Sequence, residues 1–180
     1  MDRPFLLGEK TYLRPIELSD ANGPYLQWIN TPDARLYLGS VLFPTSKDAL
    51  ERYIRTNSDR DDAAFFGIMV KTNDQFIGTA RLTPIDWRNR YTTIGIFIGE
   101  PSARRQGYGS EVIKLLLDYG FNHLNLHKVT AGMPESNQAS IRMFEKCGLR
   151  EECRRKRHLF VNGRWEDHVI LSMFQEEYQR

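Results

Sequence analysis

The stretch Ser102-Ala103-Arg104-Arg105-Gln106-Gly107-Tyr108-Gly109-Ser110-Glu111 sets two arginines and a glutamine before two spaced glycines, then runs into an apolar segment with helical spacing. A strand that enters a glycine loop and leaves as a helix brings free N–H groups and the positive end of a helix dipole to one point, which attracts phosphate. Gly107 and Gly109 let the backbone approach a pyrophosphate closely, Gln106, Tyr108, Gly109 and Ser110 offer N–H donors, and Arg104 or Arg105 offers charge. Glycines at this spacing also serve as plain turns. Two familiar phosphate loops do not fit. A dinucleotide GxGxxG needs glycine where Val112 stands and an early place in a parallel unit, and a Walker loop needs Gly-Lys-Ser/Thr after a longer spacing.

The elements that must position this loop follow from periodicity. Thr11 to Ile16 reads as an opening strand, and Ser19 is expected to cap a helix through Tyr25, Trp28 and Ile29 that stops at Asn30-Thr31-Pro32. Thr45-Ser46-Lys47-Asp48 opens a second helix, with Leu50, Tyr53 and Ile54 on one face, ending near Asn57-Ser58-Asp59. Ala64–Val70, Gln75–Leu82 and Tyr91–Ile98 read as three antiparallel strands. Val112, Ile113, Leu116, Leu117 and Phe121 predict a helix after the loop. A strand from His127 to Met133, a helix from Asn137 to Cys147 closed by Gly148, and a hairpin from Leu159 to Phe174 turning at Asn162-Gly163 complete the chain. The order predicts an α/β fold with a mixed sheet. No repeat, linker or composition break divides the chain, so residues 1–180 are expected to be a single domain.

Bulk properties exclude several classes. There are 25 basic and 23 acidic side chains, so no global field marks a nucleic-acid binder. No apolar stretch reaches the roughly 20 residues that span a bilayer, so no membrane association is expected. Charges in MDRPFLLGEK argue against a signal peptide, and two cysteines are too few for a disulfide framework, which together point to the cytoplasm. His123, His127, His158 and His168 lack a metal-ligand spacing, and no metal is expected. The run Arg154-Arg155-Lys156-Arg157-His158 invites a nucleic-acid reading, but the neighbouring Glu151 and Glu152 favour a solvated edge strand.

The pattern Arg104-x-x-Gly107-x-Gly109 resembles the acyl-CoA pyrophosphate loop of the GNAT superfamily of N-acetyltransferases. Leu13-Arg14-Pro15 with Ser19-Asp20, Gly95-Ile96-Phe97-Ile98, Asn137-Gln138-Ala139-Ser140, Phe144-Glu145-Lys146-Cys147-Gly148-Leu149 and Asn162-Gly163-Arg164-Trp165-Glu166-Asp167 extend the resemblance along the chain. The chain is most similar to the ribosomal-protein N-terminal acetyltransferase type, a group that includes amino-sugar and polyamine acetyltransferases. The resemblance implies a mostly antiparallel sheet of about seven strands flanked by about four helices. It also implies acetyl transfer from acetyl-CoA to a primary amine by direct attack in a ternary complex. The acceptor would be a protein N-terminus, an amino sugar or a polyamine, and the chain a monomer or homodimer.

By the same resemblance, the Ile98 N–H would meet the negative charge that grows on the thioester oxygen, and Asn137 would contact the cofactor. Glu100 is the expected base, with a solvated glutamate as the alternative. Phe144 stands where many members carry a tyrosine that protonates the leaving thiolate. It can only pack against cofactor or core, so Ser140, one turn earlier, becomes the candidate acid. The missing hydroxyl also supports a second reading, a non-catalytic acyl-CoA-binding or regulatory protein. For the acceptor cleft the sequence offers Asp33, Asp59, Asp61, Asp62 and Asp86 as partners of a cationic amine, and Trp87 as a border.

Overall fold

The computed structural model describes residues 4–38 and 41–178. It begins with strands β1 (Leu6–Leu7) and β2 (Thr11–Pro15), followed by helices α1 (Tyr25–Ile29), α2 (Pro32–Tyr37) and α3 (Lys47–Ser58). Strands β3 (Ala64–Val70), β4 (Gln75–Leu82) and β5 (Tyr91–Ile98) come next, then helix α4 (Tyr108–Asp118) and strand β6 (Lys128–Pro134). Helix α5 (Gln138–Lys146) and the hairpin of β7 (Arg150–Val161) and β8 (Arg164–Phe174) end the fold. The strands form one sheet in the order β1-β2-β3-β4-β5-β6-β8-β7. Every pairing is antiparallel except β5 with β6.

The expected mixed, mostly antiparallel α/β sheet is therefore present, with one more strand and one more helix than anticipated. The extra helix is α2. Thr31-Pro32, read from sequence as a stop, ends α1 and also starts α2: Thr31 Oγ1 accepts the Ala34 N–H at 3.3 Å, and Pro32 sits where no N–H is needed. Ser19 does not cap α1. It lies inside a 3-10 turn, Leu18–Asn22, which is closed by Asp20 accepting the Glu17 N–H at 2.8 Å. Asp20 is held there by Arg14 of β2 through bonds of 2.6 and 2.9 Å, and Gly23-Pro24 separates the turn from α1. The hairpin strand β7 begins at Arg150, nine residues before the expected Leu159, so the basic run is part of it.

Alternation along the strands builds two cores. Phe66, Ile68 and Val70 point to the face covered by α4 and α5, where Val112, Ile113, Leu116 and Leu117 are fully buried. Phe65 points to the other face, against Tyr25, Trp28, Leu50 and Ile54 of α1 and α3. The sheet is thus sandwiched on its β2–β5 half. β7 forms an outer edge, exposed from Arg150 to His158, with register shifts on either side of Cys153–Arg155. Arg154 pairs with Glu151 and Glu135, and Lys156 with Asp167, so local carboxylates neutralise much of the run. Bulges and charges of this kind keep an edge from pairing with other chains, which supports the solvated-edge reading.

Candidate active site

The two halves of the sheet part company at β5 and β6. These strands pair only from Tyr91–Thr93 to Lys128–Thr130, with the Thr93 and Thr130 hydroxyls 2.9 Å apart at the crotch. Beyond it, β5 stays on β4 as far as Ile98–Gly78, while β6 stays on β8 as far as Pro134–His168. A fork opens between them. The Thr83 N–H bonds to the Thr93 carbonyl, so the hydrogen-bonded pairs of the β4–β5 ladder fall at Thr93, Gly95 and Phe97. By alternation, the N–H and C=O groups of Ile94, Ile96 and Ile98 then point away from β4 into the fork. An extended ligand can pair with such an edge as an added strand.

Helices α4 and α5 each begin where one of the diverging strands has ended, and both lie on the same face of the sheet. Gly107 caps α4 in the left-handed region, at φ +86°. A Cβ built there meets nothing within 4 Å, and Gln106 and Gly107 are exposed. The first N–H groups of the helix, on Tyr108, Gly109 and Ser110, have no intrahelical acceptor. This open cradle of donors at a positive helix end fits a diphosphate.

Two loop residues are used differently from expectation. Gly109 is buried, and the room left by its missing side chain is taken by Met143 of α5, 2.6 Å from where a Cβ would stand. Its absent side chain therefore serves helix packing. Arg104 is engaged by other groups: Nε donates to the Ile98 carbonyl at 3.2 Å and Nη1 to Asp33 Oδ2 at 2.7 Å. Arg104 leaves the 3-10 turn Pro101–Ala103 in an extended conformation, and its partner Asp33 comes from the first turn of α2, distant in sequence. The exposed Arg105 is the arginine left beside the cradle.

At the start of α5, Asn137 Oδ1 accepts the Ser140 N–H at 3.2 Å, so Asn137 is the helix cap, and Ser140 is half-buried in the first turn. Phe144 is 2% exposed and belongs to the main core. Glu100 lies two residues past the end of β5 and is half-buried; its Oε1 accepts from the Ser102 N–H at 3.2 Å and hydroxyl at 2.7 Å. Oε2 carries neither bond.

The acidic residues proposed for a cationic acceptor do not gather. Asp33 pairs with Arg104 and Asp62 with Arg60, while Asp86 accepts from Asn89 within its own turn. Asp59 merely ends α3, and Asp61 lends its carbonyl to Trp87. Trp87 itself precedes β5, whereas the loop follows it; a strand of 8 residues separates the two by about 26 Å. It does not border the fork.

Sequence reasoning missed two side chains that do. On the face away from α4, Gly95 of β5 and Gly132 of β6 carry no side chain, and Arg81 of β4 and His168 of β8 occupy the space above them. Isolated glycines inside strands were the available signal, since they mark places where another group comes close. Arg81 Nη1 donates to the Tyr53 hydroxyl at 2.5 Å. His168 stacks on His158 with centroids 5.6 Å apart, and its buried Nδ1 has no partner among the described residues.

Burial, then the nearby His158 and Arg155 of β7, hold the His168 imidazole below its ordinary pKa, while Gly132 and Pro134 of β6 bring no charge. The unfolded chain, with a histidine pKa of about 6.5, binds more protons just below that pH, so stability is complete above it and falls as pH drops. The urea midpoint is expected to decrease between about pH 7 and 5.5, and to decrease less in His168→Gln. Equal decreases in both proteins would remove His168 as the cause.

Comparison with known proteins agrees with this geometry. The acetyltransferase (GNAT) domain family matches residues 10–150. The uncharacterized N-acetyltransferase p20 of Bacillus licheniformis is 30% identical over 175 residues, covering 96% of this chain and 97% of that one. Spermidine N(1)-acetyltransferase of Vibrio cholerae is 26% identical over 136 residues, or 76% of this chain and 75% of that protein. A crystal structure of the Vibrio cholerae spermidine N-acetyltransferase with CoA and spermine superposes with a TM-score of 0.86 at 25% identity, covering 94% of this chain and 98% of that one. With the fork, the donor cradle and a family match over most of its length, the chain belongs to the GNAT family of acetyl-CoA-dependent N-acetyltransferases.

Proposed function

We propose that acetyl transfer takes place in the β5–β6 fork, in a ternary complex of acetyl-CoA and a small-molecule primary amine. The observation that carries this reading is the Ile98 N–H, unpaired with β4 and aimed into the fork beside the α4 cradle. The pyrophosphate sits on the N–H groups of Gln106 to Ser110 with Arg105 nearby, the pantetheine arm pairs with the outward edge of Ile94 to Ile98, and Asn137 and Ser140 flank it from α5. Phe144 packs beneath in the core. The thioester oxygen then lies where the Ile98 N–H stabilises the charge that grows on it.

Alkyl amines have a pKa near about 10, so a proton must leave before attack at neutral pH. Glu100, fixed by Ser102 through Oε1, takes that proton at Oε2, directly or through water. The amine nitrogen forms the new C–N bond, the C–S bond breaks, and the second proton shed by that nitrogen passes to the departing thiolate, relayed by the Ser140 hydroxyl or by water. A thiol pKa of about 8.5 makes this last step undemanding, which is why the absence of a hydroxyl at Phe144 does not stop the reaction.

The similarity to spermidine acetyltransferases supports a soluble small-molecule amine over a protein N-terminus. A binding-only protein is the second reading, favoured by Phe144 alone. Release of free thiol from acetyl-CoA across an amine panel tests both. We expect amine-dependent turnover, with kcat/KM falling about 10²–10⁴-fold in Glu100→Gln and the acid limb of its pH profile lost. Cofactor binding without turnover on any amine would establish the binding-only reading instead.

A further inference from the structure

We infer that the acceptor is a primary amine bearing an anionic oxygen group, a carboxylate or a phosphate, and that Arg81 holds this group beside the fork. The inference rests on the acetyl-transfer reading above and specifies its substrate class.

The two walls of the fork can be compared level by level. Thr93 faces Thr130 at the crotch, so Gly95 and Gly132 stand at one level just beyond it. Arg81 leans over Gly95 from β4, its Nε 2.9 Å from where a Cβ would be, and His168 leans over Gly132 from β8. Both come from the strand behind, on the face away from α4 and α5, and both therefore approach the opening where the acceptor must enter.

Charge on this face is lopsided. Arg81 is partly buried, and among the described residues its side chain bonds only to the neutral Tyr53 hydroxyl. Arg155 of β7, opposite His168, has no carboxylate partner among the described residues either. Of the carboxylates at the ends of the framing strands, Glu135 pairs with Arg154, Glu166 with Arg164 and the Ser136 N–H, and Asp167 with Lys156. Glu100, held only by the neutral Ser102, keeps its charge beyond the end of β5 as the base rather than as a partner of Arg81. A polycation would enter against an uncompensated guanidinium, whereas an anionic oxygen would give that guanidinium a charge-assisted, forked partner. The same positive charge favours the neutral form of a nearby amine, the form that attacks.

Matched acceptor pairs on the unmodified protein provide the test, read as thiol release from acetyl-CoA. The pairs are an α-amino acid against its amino alcohol and glucosamine 6-phosphate against glucosamine, with spermidine as the polycation. In at least one pair the anionic member is expected to be used at least about tenfold better in kcat/KM, and the responding pair tells carboxylate from phosphate. Arg81→Gln should shrink that preference by about 10–100-fold, with Arg81→Lys in between. Equal or better use of spermidine and the uncharged members would overturn the inference while leaving acetyl transfer intact. Silence with every amine would instead sink the acetyl-transfer reading, and this inference with it. The comparison of acceptors on the unmodified protein does not depend on how any variant folds.

Discussion

Gly107→Val is expected to weaken acetyl-CoA binding by at least about a hundredfold, measured by calorimetry on folded protein. The residue caps α4 at φ +86°, where an L side chain costs roughly 1–2 kcal/mol and a β-branched one more. A Cβ there touches nothing in the protein, so the fold itself is not obstructed. What the side chain fills is the cradle. Holding a diphosphate off two N–H donors removes two charge-assisted bonds of about 1.5–3 kcal/mol each, which is where the hundredfold comes from. Gly107→Asn separates the two causes, because asparagine tolerates the left-handed region yet still fills the space. Unchanged affinity in either variant, with melting behaviour showing it folded, would mean that the diphosphate lies elsewhere.

Ile98→Pro is expected to lower kcat by about 10²–10³-fold while changing acetyl-CoA affinity much less. Proline removes one N–H, and at this position that N–H belongs to no ladder, because the β4-facing pairs are Gly95 and Phe97. The residue ends its strand, and the preceding Phe97 is already extended, as a residue before proline prefers. The change therefore acts on the donor proposed to face the growing negative charge and spares the sheet. A kcat within about threefold of the unmodified enzyme would show that another group stabilises the oxyanion.

How much was readable beforehand depended on the range of the forces involved. The α4 stripe from Val112 to Leu117, the β3–β4 hairpin and the Asn162-Gly163 turn, whose residues take φ of +49° and +83°, all arise between near neighbours and were predicted. Thr45-Ser46-Lys47-Asp48 is the start of α3 as expected, with Ser46 as the cap that accepts the Ala49 N–H at 3.2 Å. The errors sit where local signals competed: Ser19 is as good a cap by type as Ser46, but the Arg14–Asp20 pair pins its segment into a tighter turn.

For the site, the residue types and spacing of the loop were enough to place a glycine-capped helix start with free N–H groups after a strand, because a glycine's conformational freedom and a helix's free N–H groups are properties of a few consecutive residues. The fork was not legible. Nothing in Tyr91–Ile98 says that it will pair with Lys128–Pro134 over three residues and then diverge. Arg104 meets Asp33 across 71 positions, and Arg81 and His168 reach the opening from strands on opposite sides of it. These outcomes depend on which distant segments the sheet brings together, and the pairing is decided by burying two cores at once rather than by any short stretch of chain. The sequence alone thus determined the glycine loop and the order of elements, while the fork and the two side chains that overhang it were decided by tertiary packing.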